Sequence, residues 1–106
     1  MMISAVRGDT LELEFLIEDE NGTAFDLTGC TIKFTIRKDY DDPDIVFQGE
    51  IVPEEPESGC IKVVVDSSVT KDLSGVYVFD IEITTADNKV ITPVVGKIKF
   101  IKDVTW

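Results

Sequence analysis

Ser68 and Lys71 stand at the Ser-x-x-Lys spacing, in which a lysine amine can activate a serine hydroxyl. In penicillin-binding enzymes that pair works beside Ser-Asp-Asn and Lys-Thr-Gly motifs, and the sequence has neither. A capped turn accounts for the same residues. Carboxylate chemistry is equally unspecific: with 21 Asp and Glu side chains, a pair at glycosidase spacing arises by chance. Asp39, Asp41, Asp42 and Asp44 crowd around Pro43, with Glu50 eleven residues beyond Asp39. An EF-hand loop needs Gly at its sixth position, where Asp44 stands. The segment reads as a solvated acidic loop, with an irregular calcium site as the alternative. Arg7-Gly8-Asp9 matches the integrin-recognition tripeptide but falls at an expected strand-to-strand turn. There Gly supplies backbone freedom and Asp a local hydrogen bond. Cys30 and Cys60 lack Cys-x-x-Cys spacing and read as reduced thiols. A disulfide would need their Cα atoms roughly 4.4–6.8 Å apart, which leaves pairing open. No histidine is present, which excludes Ser-His and Cys-His nucleophiles, His-bearing zinc sites and His pH switches. No enzyme activity, metal or cofactor is expected.

The elements that carry these residues follow a period of two. Leu11, Leu13, Phe15 and Ile17 alternate with Thr10, Glu12, Glu14, Leu16 and Glu18. Ile32, Phe34 and Ile36 alternate with Thr31, Lys33, Thr35 and Arg37. Ile61, Val63 and Val65 form a third apolar face, and Tyr77, Phe79, Ile81 and Ile83 a fourth. Val94, Gly96, Ile98 and Phe100 form the last, with Pro93 expected at the strand's start or on an edge. Residues two apart share a strand face, so each run has one side for a core and one mostly for water. One-sided strands belong to antiparallel sheets. Weaker strands are expected at Ile3–Val6 and Ile45–Val52. Turns are expected at Gly8-Asp9, Glu20-Asn21-Gly22 and Ala86–Lys89, and a loop at Pro53–Gly59. A short helical turn is expected over Ser67–Leu73, capped by Ser67 or Ser68 and ended by Gly75.

Charge then suggests a strand order. Lys33 and Arg37, and Lys97 and Lys99, lie on the water sides of two strands, and Asp80 and Glu82 on that of a third. Opposite charges on neighbouring strands stabilise by roughly 0.2–1 kcal/mol per pair. The acidic strand therefore belongs between the two basic ones, with Glu12 and Glu14 beside Lys62 on the other sheet. This is the order of an immunoglobulin-like antiparallel β-sandwich of about seven strands, with a C-F-G sheet and an A-B-E sheet. Residues 1–106 are read as one such domain. The net charge of −11 disfavours nucleic acid and anionic membranes as partners. No apolar stretch approaches the ~20 residues needed to span a bilayer. No signal peptide is apparent.

Several segments, taken in order, carry a resemblance. Arg7-Gly8-Asp9-Thr10 precedes an alternating strand, and Asp26-Leu27-Thr28-Gly29 leads into Thr31–Lys38. Ser58-Gly59 opens another strand, Gly75-Val76-Tyr77-Val78-Phe79-Asp80-Ile81 a further one, and Ile101–Thr105 closes the chain. This order resembles the immunoglobulin-like domain of tailed-phage and prophage proteins, including the N-terminal domain of baseplate upper proteins. The resemblance implies a non-enzymatic structural or accessory protein of the virion tail or baseplate. Its partners would be other tail or baseplate proteins, with room for a homo-oligomer. It would assemble in the host bacterial cytoplasm and end in the virion, either as a small protein or as one domain of a longer subunit. The alternative is a carbohydrate-binding or adhesive module of a bacterial surface protein. Sugar rings would then stack on exposed aromatics, with Tyr40, Phe25, Phe47 and Trp106 as candidates and Phe25 and Phe47 also suiting the core. The candidate interaction surface is Tyr40, Asp41, Asp42, Asp44 and Trp106.

Overall fold

The alternating runs fold as seven strands in a computed structural model that describes residues 1–102. They are β1 (Met2–Val6), β2 (Leu11–Leu16), β3 (Thr31–Arg37), β4 (Ile45–Ile51), β5 (Cys60–Val65), β6 (Gly75–Thr84) and β7 (Val90–Ile101). Strands β1-β7-β6-β3-β4 make one sheet and β2-β5 the other, in that order. The acidic strand β6 does lie between β3 and β7, and Asp80 shares a sheet with Lys99. Register sets Lys33 opposite Glu82 on one side and Glu50 on the other. Glu14 faces Lys62 across the small sheet.

Two departures from the expected sandwich matter. β1 joins the larger sheet instead of pairing with β2, and it runs parallel to β7. Pro93 lies inside β7 rather than at its start, at an irregularity where the register shifts between Ile81 and Ile83. A proline has no N–H for the ladder, and such an irregularity is where a strand tolerates that loss.

The apolar faces meet between the sheets. Ile32, Phe34, Ile36, Ile81, Ile83 and Ile98 from the large sheet are fully buried, as are Ile61 and Val65 from the small one. Phe79 holds the centre, its ring centroid 6.0 Å from Phe15 and 5.6 Å from Phe34. Gly96 makes room for it: a Cβ there would lie 2.8 Å from the Phe79 ring.

Helix α1 (Ser67–Thr70) is capped by Asp66, not Ser67 or Ser68, through a bond from the Ser68 N–H. Asp66 is placed one residue before the first helical turn, where its carboxylate reaches that N–H. Gly75 begins β6 instead of ending the helix. Buried Thr70 donates from Oγ1 to the Asp9 carbonyl at 2.6 Å, tying α1 to the turn that holds Arg7-Gly8-Asp9. Among the described residues, no helix is long and apolar enough to cross a membrane.

Candidate interaction surface

The strands are electrically neutral as a set. Glu12, Glu14, Glu50, Asp80 and Glu82 are matched by Lys33, Arg37, Lys62, Lys97 and Lys99. The excess acid lies in the connections, as their composition suggests, and topology gathers most of it at one end. Loops 17–30, 52–59 and 85–89 all emerge at the end where β2, β4 and β6 finish. They carry Glu18, Asp19, Glu20, Asp26, Glu54, Glu55, Glu57 and Asp87 against Lys89 alone.

This acidic cap is a packed structure. The Ile17 N–H donates to the Gly59 carbonyl at 2.8 Å, Phe25 N–H to Ile17 and Leu27 N–H to Pro56 at the same distance. Buried Leu27 anchors the first loop in the core. Asp19 accepts from the Asn21 and Thr23 N–H groups, and Asp26 from the Thr28 N–H and hydroxyl. These donors favour the charged form, so the Asp26 carboxyl is held below its ordinary value. Asp87 is lowered likewise, chiefly by its bond from the Thr85 hydroxyl.

The opposite end carries the candidate loop 38–44 between β3 and β4. Tyr40 is 56% exposed, Asp41 and Asp44 are exposed and Asp42 is half-buried. The loop is shaped by its own backbone: the Arg37 guanidinium donates to the Asp42 and Pro43 carbonyls at 3.1 and 2.8 Å. Asp42 accepts from the Asp44 N–H, and Asp39 from the Tyr40 N–H. Among the described residues, no three Asp, Glu or Cys side chains converge as a metal site. Trp106 lies outside the described residues, so the structure brings together only the Tyr40 side of the expected surface. Phe25 and Phe47 pack against the core.

A second surface escapes a reading based on charged loops. On the outer face of the small sheet, Leu16 and Val64 are each 62% exposed, and Val52, just past β4, is 85% exposed. A groove of about 460 Å³ runs there, lined by Glu14, Val52, Glu54, Glu55, Lys62 and Val64 among others. Its signal in the sequence is that Val64 occupies the water side of an alternating run. At its edge the Cys60 thiol donates to Glu14 Oε1 at 3.2 Å. That bond, then burial, pushes the thiol pKa up, the reverse of what a reactive cysteine needs. Cys30 and Cys60 are both free thiols.

Asp80 gives a pH test of the large sheet's outer face. It is registered against Thr35, and burial, then the nearby Glu82 charge, raises its pKa while Arg37 opposes them. A carboxyl whose folded pKa is raised costs stability once pH climbs above its unfolded value, and the cost is complete above the folded value. Asp80→Asn should therefore raise the urea midpoint at pH 7. The gain should vanish below the ordinary carboxylate value of about 3.9. An equal gain at pH 7 and pH 3 would refute the assignment.

The chain is thus an all-β sandwich with packed, charged loop ends and an exposed groove of mixed polar and apolar lining beside β5. The match to known families is specific: residues 2–101 match the model of the BppU N-terminal domain, that of the baseplate upper protein. The chain belongs to this family of phage baseplate domains. No curated protein matches it.

Proposed function

We propose that the chain is a non-enzymatic structural domain of a phage or prophage baseplate, acting through protein–protein contacts. The family match over residues 2–101 carries this reading. The domain assembles with other baseplate proteins in the host cytoplasm and remains in the virion. Tyr40, Asp41, Asp42 and Asp44 form one contact loop. Nucleic acid and anionic membranes are disfavoured as partners by electrostatic repulsion from the acidic surface. The sugar-binding alternative would stack a sugar ring on exposed Tyr40, beside a cavity of about 70 Å³ bounded by Thr35, Arg37 and Val78.

Co-expression with the other baseplate proteins of the same phage tests the reading. A stable complex on size exclusion, with cross-links to the chain, is the expected result. Glycan binding on an array, with no association with any tail protein, would replace it with the adhesive reading.

A further inference from the structure

Among the described residues the small sheet has two strands, and one of its edges opens onto the groove lined by Val52, Val64 and four charged side chains. The Ile17 N–H bonds to Gly59 one step before the β2–β5 register begins at Leu16–Cys60. Antiparallel pairs alternate between bonded and unbonded. Ile61, Val63 and Val65 therefore bond to β2, and Cys60, Lys62 and Val64 turn their backbone groups to the far side. The Cys60 N–H is taken there by Ser58 Oγ at 3.3 Å. Among the described residues, no strand pairs with β5 on that side, and β4 belongs to the other sheet.

Two cavities flank this edge. One is the outer groove; the other is a slot of about 210 Å³ beside β4, reaching Phe34 and Phe47. Both are bounded by Val52, Lys62 and Val64. A strand laid along β5 sends alternate side chains to opposite faces. Those on the outer face meet Glu14, Glu54 and Glu55, opposed only by Lys62 among the groove's charged residues. Those on the inner face enter the slot, where Phe34, Phe47, Ile51 and Val63 supply apolar walls and Glu50 and Lys62 the charges.

We infer that the free edge of β5 receives an extended segment of a partner protein in which Lys or Arg alternates with Val or Leu. Main-chain bonds to Lys62 and Val64 hold it, and the carboxylates select it by charge. Long basic side chains lay their stems over Val52 and Val64 and keep their charges at the carboxylates. This deepens the baseplate reading by giving the partner's chemistry, and it rests on that reading.

The test uses the isotope-labelled chain and two peptides of equal length, one alternating Val and Lys, the other Val and Glu. The Val-Lys peptide should shift the Lys62 and Val64 amides, slow their hydrogen exchange and bind roughly tenfold or more tightly than the other. Val64→Pro, which removes an N–H that β2 does not use, should abolish binding. Lys62→Gln should tighten it, a gain that misfolding cannot mimic. Equal response to both peptides, shifts confined to other edges, or loss of affinity in Lys62→Gln would overturn the inference. In co-assembly with baseplate proteins, Val64→Pro should fail where the wild type succeeds. Equal assembly overturns the edge proposal and leaves the baseplate reading standing. A wild-type chain that binds the Val-Lys peptide at β5 but no tail protein supports the edge and removes the baseplate reading.

Discussion

Gly59→Ala is expected to lower stability by about 3–4 kcal/mol, read as a fall in the urea midpoint with unchanged slope. Gly59 sits at φ +72, and an alanine Cβ there would lie 2.5 Å from the Ile17 carbonyl oxygen and 3.1 Å from the Phe25 backbone. None of these atoms can rotate away, because the same backbone carries the Gly59–Ile17 and Ile17–Phe25 bonds. Gly75→Ala is the control. It has φ +88 with nothing within 4 Å of the added carbon, so only backbone strain of about 1–2 kcal/mol should appear. If the two substitutions cost the same, the acidic cap is not tightly packed around Gly59.

Phe79→Ala should cost about 3–5 kcal/mol, a large share of the roughly 5–15 kcal/mol that holds a domain of this size folded. The ring contacts Phe15 of the small sheet and Phe34 of the large one, so its removal leaves a void where the sheets meet. Gly96 lies beneath it without a side chain to fill the space. Thermal unfolding followed by near-ultraviolet dichroism measures the loss. A cost below about 1 kcal/mol would mean that the sheets close over the void, contrary to the usual partial relaxation of cores.

The strong alternating runs made five strands and their inward faces legible, because one-sided burial leaves a period of two wherever a strand is long enough. Charge sign then ordered β3, β6 and β7 and paired Glu14 with Lys62. β1 gave no comparable handle: Met2–Val6 has no charge to match and too few residues to choose a neighbour. The cap of α1 was misassigned because Asp66, Ser67 and Ser68 are all good caps, and only the backbone path selects among them. Loops rich in acid were visible, but their gathering at one end depends on topology. The edge beside β5 was hidden for the same reason, since no local pattern records which strands fail to meet. Val64, apolar on the water-facing phase of β5, was its trace.

The parallel pairing of β1 with β7 has a mechanical meaning. The first strand enters the sheet from one end, and the last leaves at the other, with Met2 against Lys97 and Val6 against Ile101. Tension between the start of β1 and the end of β7 pulls the two strands past each other along their length. All five registered pairs then bear load together and must slip as a set, whereas an antiparallel hairpin pulled at its open end parts one bond at a time. The β1–β7 seam therefore resists a pull applied across those two points.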